Sequence, residues 1–225
     1  MNQVNDLEGE TVITRLHLKL KVNEIFRSIQ GESTFTGLPC VFVRLSGCNL
    51  RCVYCDTTYA YDNGADTEIS AICETVVSYG INLVCITGGE PLLQNGTSTL
   101  AGELSAKGHT VLIETNGSIR IDCLPDDVIR VMDIKCPDSG MSDKMDWNNM
   151  ALLKPQDEVK FVLSSRNDYE WAKWIVYRHD LIKKVKLLFS ATVGNLDPGI
   201  LAEWILEDKL NVRLQIQLHK YILKK

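Results

Sequence analysis

The chain has 225 residues, long enough for one domain with a substantial core, and its 45% hydrophobic and 24% charged residues are ordinary for a soluble globular protein. A net charge of −5 disfavours a broad phosphate-binding surface, so no nucleic-acid partner is expected. No apolar run reaches bilayer length, and the first residues carry neither a basic start nor an apolar stretch, so neither a membrane partner nor a signal peptide is expected. A reducing, cytoplasmic location follows as the expectation, and there eight cysteines point to metal binding before disulfides.

Residues 1–21 are polar and mixed, with a short alternating run at 11–16, and read as an N-terminal extension. Residues 22–225 read as a single domain. A short strand at 22–26 leads into a turn-like polar loop at 28–33. An apolar strand at 40–45 ends directly in the loop Gly47-Cys48-Asn49-Leu50-Arg51-Cys52-Val53-Tyr54-Cys55-Asp56-Thr57.

That loop spaces three cysteines as C-x3-C-x2-C. At eight cysteines in 225 residues, random placement gives this spacing about 0.01 times per chain. Thiolates this close repel one another unless a cation holds them deprotonated together. Zinc is one reading. Structural zinc takes four closed ligands, usually as two C-x2-C pairs, whereas Cys40, Cys73, Cys85, Cys123 and Cys136 stand singly. The other reading is a [4Fe–4S] cluster on three thiolates, which leaves one iron open to a cofactor or substrate.

Beyond the loop, helical spacing covers 70–79, with Ile72, Val76 and Val77, and a buried-looking strand at 83–87 runs into a Gly-Gly pair. Residues 97–107 read as a helix stopped by Gly108. Strands follow at 109–114, 128–134, 158–163 and 185–189. Helices are expected at 167–177, with Trp171, Trp174 and Ile175 on one side, and at 198–207. Residues 212–218 alternate like an edge strand. Apolar strands alternating with helices predict a parallel sheet with helices on its outer face. The crossovers 117–127 and 137–157 lack helical periodicity, so the expected fold is α/β: a partial (β/α) TIM-like barrel with about six core parallel strands and reduced helices. Its chemistry belongs at the C-terminal strand ends, which carry the cysteines, Thr87-Gly88-Gly89, Glu114-Thr115-Asn116, Asp133-Ile134-Lys135 and Ser190-Ala191-Thr192-Val193.

The C-x3-C-x2-C loop resembles that of radical S-adenosylmethionine (SAM) enzymes. Ile86-Thr87-Gly88-Gly89-Glu90-Pro91 looks like the GGEP segment by which that superfamily contacts the methionyl amino group. The resemblance implies a [4Fe–4S] cluster on Cys48, Cys52 and Cys55, with SAM chelating the open iron. Residues 25–33, 43–50, 55–57, 114–117, 133–141 and 215–221 further resemble the 7-carboxy-7-deazaguanine synthase family, in motif order over roughly residues 22–221.

This resemblance implies contraction of 6-carboxy-5,6,7,8-tetrahydropterin to 7-carboxy-7-deazaguanine with loss of ammonia, a step toward queuosine. It implies Mg²⁺ on Thr57; SAM contacts from Gly89, Asp133, Ile134, Lys135, Ser190, Ala191, Thr192 and Val193; and pterin contacts from Ile29, Gln30, Gly31, Arg44 and Thr87. The family often has Ser-Pro-Lys where this chain has Asp133-Ile134-Lys135. Glu114 and Asn116 are further polar contacts to SAM ribose or substrate. The C-terminal stretch 217–225, with Gln217, His219 and Tyr221 on one side of an extended strand, would close the substrate pocket. A flavodoxin or ferredoxin is the expected electron donor and a homodimer the expected assembly. A radical SAM activase working on a protein partner is the alternative function.

Overall fold

The computed structural model describes residues 18–222. The alternating run at 11–16 and the last three residues lie outside them. Nine strands form one sheet: β1 (Lys19–Ile29), β2 (Pro39–Leu45), β3 (Ala65–Glu68), β4 (Leu83–Gly88), β5 (Thr110–Thr115), β6 (Ile129–Ile134), β7 (Glu158–Leu163), β8 (Lys186–Ala191) and β9 (Arg213–Gln215). Their order is β3-β1-β2-β4-β5-β6-β7-β8-β9. From β2 to β9 every neighbouring pair is parallel, while β1 is antiparallel to both β2 and β3. The six expected core strands are β2, β4, β5, β6, β7 and β8, so the partial-barrel expectation holds. No helix among the described residues is long and apolar enough to cross a membrane.

The six core strands β2 and β4 to β8 are covered on both faces, but the two faces differ. One packs under helices. Val43, Val84, Ile86, Val111 and Ile113 meet α1 (Ile69–Ser78) and α2 (Thr97–Ala106), and Val159, Phe161, Leu187 and Phe189 meet α3 (Arg166–Arg178) and α4 (Pro198–Glu207). Because side chains alternate along a strand, the residues between them point to the concave face. There a small apolar cluster of Cys40, Leu83, Cys85 and Leu112 fills one end. Toward the C-terminal ends the concave face turns polar, with Arg44, Thr87, Glu114, Asp133, Lys160 and Ser190.

The loop 30–38 between β1 and β2 is more than a turn. It folds over the concave face and is fastened there. Thr34 N donates to both oxygens of Glu158, Gln215 Nε2 donates to Ser33 O and Thr36 Oγ1, and Phe35 packs on the apolar cluster.

Three expectations are corrected. β1 begins at Lys19 and includes Ser28 and Ile29, because Lys19–Val22 already pair with β3, a strand of modest propensity not foreseen from sequence. The edge strand over 212–218 shrinks to Arg213–Gln215, and His219–Ile222 is a helical turn, so Gln217, His219 and Tyr221 do not alternate along an extended strand. On α3 the buried stripe is Tyr169, Ala172, Ile175 and Val176; Trp174 is 51% exposed, with the Arg178 guanidinium 4.9 Å over its ring. The crossover 137–157 holds three short 3-10 turns and no α-helix, in keeping with its missing α-helical period.

Candidate active site

The cysteine loop hangs from the C-terminal end of β2. It is sewn to the loop after β4, whose Glu90 N donates to Gly47 O at 2.8 Å and whose Gly89 N donates to Leu45 O at 3.3 Å. The approach is too close for a side chain: a Cβ on Gly89 would stand 2.3 Å from Gly47 O and 2.6 Å from Cys48 Cβ. Gly88 itself sits at φ +150°. Glu90 turns back under the loop, fully buried, and accepts from Leu92 N (3.0 Å), Thr115 Oγ1 (2.8 Å) and Asn116 N (2.6 Å). Burial pushes its carboxyl above the ordinary range, and these donors pull it partway back.

Cys48, Cys52 and Cys55 are all partly exposed, whereas Cys40, Cys73, Cys85 and Cys136 are buried. Burial pushes the buried thiols up, Cys40 to about 12 and Cys73 to about 11, which keeps them as small apolar residues. Partial burial also raises Cys48 and Cys52, so holding them as thiolates requires a cation. Leu50 N donates to Cys48 Sγ at 3.4 Å, and Asn116 Nδ2 points at the same sulfur from 4.0 Å. Among the described residues no three His, Cys, Asp or Glu side chains converge to hold a single metal ion. Three thiols on one loop fit a [4Fe–4S] group, which can take three protein thiolates and keep one iron open. Arg51 braces the loop by donating to Cys48 O and Leu50 O at 2.7 Å, with its guanidinium 4.1 Å over the Tyr61 ring.

Asp56 pairs with Lys220 at 2.9 Å, tying the cysteine loop to the C-terminal turn. Thr57 Oγ1 donates to Asp56 Oδ1 at 2.9 Å and makes no cap bond to the turn that follows. The two side chains thus present hard oxygen donors of the kind Mg²⁺ prefers.

Arg44 and Thr87 are register partners on β2 and β4 and share the concave face. Arg44 Nε donates to Glu24 at 2.9 Å, and its Nη groups make no hydrogen bond among the described residues. Thr87 Oγ1 donates to Glu114 at 3.0 Å. Gln30 is 2% exposed; its Oε1 accepts from Glu32 N and its Nε2 has no partner. The His219 ring lies against Gly31, where a Cβ would meet its Nδ1 at 2.2 Å. Ser190 Oγ and Gln215 Oε1, on register partners of β8 and β9, are likewise buried without a partner. Buried polar atoms left unpaired in this way are what a bound polar ligand satisfies.

Asp133 and Lys135 pair at 3.1 Å. Ile134 and Ala191 point away from the site into the outer core, so only their backbone faces it. Thr192 Oγ1 lies 2.9 Å from Ser164 Oγ. Val193 is 58% exposed and lines a cavity of 330 Å³ with Asn195, Gln217 and Tyr221. The C-terminal stretch therefore reaches this cavity as well as Gly31. Asn116, expected at SAM or substrate, spends its Oδ1 on Ser118 and its Nδ2 on Asn49 and Cys48.

Three residues escaped the reading of the sequence: Glu24, Glu32 and Lys160. The last was legible, because Glu158-Val159-Lys160 puts charge at every second position of a strand otherwise apolar.

A family model described as the radical SAM superfamily matches residues 42–177. The chain is 45% identical over 206 residues to the 7-carboxy-7-deazaguanine synthase of Chlorobaculum tepidum, covering 90% of this chain and 94% of that one. It is 43% identical over 220 residues to that of Koribacter versatilis, covering 90% and 96%. Among solved structures it resembles QueE from Escherichia coli, with a TM-score of 0.78 at 21% identity over 93% of this chain and 99% of that one, a likeness of fold.

Proposed function

We propose that this chain, which belongs to the radical SAM superfamily and within it to the 7-carboxy-7-deazaguanine synthases, converts 6-carboxy-5,6,7,8-tetrahydropterin to 7-carboxy-7-deazaguanine with release of ammonia. The observation that carries the reading is the joint between the two loops: C-x3-C-x2-C at the end of β2, hydrogen-bonded and close-packed against Gly88-Gly89-Glu90 at the end of β4. The cluster and SAM supply one-electron, hydrogen-abstracting chemistry at pterin C6, and the protein supplies placement and shelter from water.

Cys48, Cys52 and Cys55 hold the cluster in this reading. Gly89 lets SAM approach the backbone. Asp133 and Lys135 by side chain, Ile134 and Ala191 by backbone, and Ser190, Thr192 and Val193 line SAM; the unpaired Ser190 hydroxyl supports this. Ile29, Gln30, Gly31 and Thr87 meet the pterin, and the unpaired Gln30 amide supports that contact. Arg44 offers its Nη fork to the pterin carboxylate. Thr57, beside Asp56, would supply an oxygen ligand to Mg²⁺ next to the substrate carboxylate. The radical SAM domain takes in β1 from Lys19, ahead of the expected boundary at residue 22. The enzyme works in the cytoplasm as a homodimer and takes its electron from a flavodoxin or ferredoxin.

The test is anaerobic reconstitution, followed by iron and sulfide analysis and incubation with the carboxypterin, SAM, Mg²⁺ and a reductant. Formation of the deazaguanine with one ammonia is the expected result. A cluster that cleaves SAM but leaves the pterin intact would overturn this assignment and reopen the activase reading.

A further inference from the structure

Lys160 has no role in the reading above, yet the concave face is built around its ammonium. The side chain rises from the middle of β7 and is 8% exposed. Its Nζ pairs with Glu32 Oε2 on one side and lies 3.1 Å from Asp133 Oδ2 on the other. Asp133 is its register partner on β6, so the two side chains share a face. Glu32 comes from the loop 30–38, one residue after Gly31, and its other oxygen accepts from Gln217 Nε2 at 2.6 Å. Asp133 in turn pairs with Lys135 at 3.1 Å. One buried cation thus touches both the loop that carries the pterin contacts and the strand end that carries the SAM contacts.

Stability alone is a weak reason to keep such a group, because a buried ion pair often gains nothing over well-packed apolar side chains. Its mechanical property is different. Among the described residues Glu32 has no other cation beside it and Asp133 is held between Lys160 and Lys135, so a shift of either carboxylate moves the ammonium that the other shares.

We propose that Lys160 is a positioning residue that couples the two half-sites, so that a ligand at the Asp133 end sets the Glu32 loop for the pterin, and a seated pterin in turn favours SAM. The proposal rests on the site being a pterin-and-SAM site. Coupling of this kind is reciprocal, so each ligand tightens the other by the same factor. In a radical enzyme it holds back cofactor cleavage until substrate is seated.

The experiment uses the reconstituted holoenzyme and two unreactive probes, 6-carboxypterin and S-adenosylhomocysteine. Calorimetry gives the affinity for each probe, alone and with the other saturating. In the wild type each should tighten the other by about tenfold, within the range usual for coupled sites. Lys160→Met alone would strand Glu32, while Asp133 keeps Lys135, so the decisive variant is Lys160→Met with Glu32→Gln, which keeps the buried charge balanced. It should keep its cluster and its affinity for S-adenosylhomocysteine alone, while the coupling factor falls to about one. In the same variant the amount of SAM cleaved per product formed should rise. Lys160→Arg, which can hold both carboxylates, should retain coupling. Independent binding of the probes to the wild type, or unchanged coupling in the double variant, would overturn the proposal while turnover of 6-carboxytetrahydropterin by the same preparation left the function standing. Absence of both pterin binding and turnover in the wild type would remove the function and this proposal together.

Discussion

Glu90 Oε2 accepts the backbone N–H of Asn116 at 2.6 Å, and this bond ties the loop after β4 to the loop after β5 directly beneath the cysteines. All of Glu90's partners are donors, so the site demands an acceptor at both oxygens. Glu90→Gln would turn an NH₂ toward one of these donors. It is expected to cost about 1–3 kcal/mol of stability, the usual penalty for a buried polar group left unpaired. Thermal unfolding of the cluster-free protein measures this without interference from metal. An unchanged melting temperature would show that the joint is not held by Glu90.

Gly89→Ala probes the same joint from the cysteine side. The added Cβ meets Gly47 O at 2.3 Å and Cys48 Cβ at 2.6 Å, and neither belongs to a flexible side-chain end. The cysteine loop must therefore move, and iron incorporation should fall well below wild type. Gly102→Ala is the matched control: within α2 its Cβ meets only Pro125, at 3.6 Å, and the change should stabilise the helix by about 0.5–1 kcal/mol.

The cysteines divide by environment. Cys52→Ala should abolish the cluster absorbance and SAM cleavage. Cys73, 2% exposed on the buried face of α1, should tolerate Ala with near-normal iron and sulfide and a loss of roughly 1 kcal/mol. Equal loss of iron in both variants would rule out the three-cysteine assignment.

Much of this was readable from residues alone, and the reasons for the rest are physical. The strands, their parallel order and the strand-end chemistry follow from apolar runs separated by helical spacing, a strong local signal. The loop 30–38 looks like a turn because its fastenings are remote: Thr34 to Glu158 and Gln215 to Ser33 join residues more than a hundred positions apart. The C-terminal stretch misled for a related reason. Its alternation suits a strand, but β9 stops at Gln215, and Leu218 N instead donates to Gly31 O as the chain turns helical. His219, expected at the substrate pocket, lies against Gly31, one of the residues expected to meet the substrate, though by a different backbone route.

Arg44→Lys keeps the charge and discards the planar fork. Nε is already committed to Glu24, so the two Nη groups are what remains for a carboxylate. A lysine ammonium can serve Glu24 or the substrate but cannot span both with the same geometry. Turnover should fall by roughly tenfold, worth about 1.4 kcal/mol, with SAM binding unchanged. Wild-type kcat and KM for the pterin in the Lys variant would exclude the role.

The carboxylates around Lys160 predict the acid limb of stability. Burial alone would push Glu32 and Asp133 up. The Lys160 charge beside Glu32, and the Lys135 and Lys160 charges beside Asp133, outweigh it and hold both below their ordinary values of 4.5 and 3.8. A carboxyl depressed in the folded state stabilises the fold fully above its unfolded value, and that contribution is lost as pH falls through 4.5 and 3.8 toward the folded values. Glu90 runs the other way, because its raised carboxyl takes up a proton more readily folded than unfolded, so its contribution grows as pH falls. The whole-protein curve sums these opposing terms, and a difference between variants isolates one of them. Glu32→Gln should melt well below wild type at about pH 7, where the charged pair with Lys160 is intact only in the wild type. As pH falls below 4.5 and through the depressed folded value, wild-type Glu32 takes up its proton too, and the two melting curves should draw together. A gap that stays constant over that window would mean that Glu32 stabilises the loop through shape and its Gln217 bond, and not through its charge.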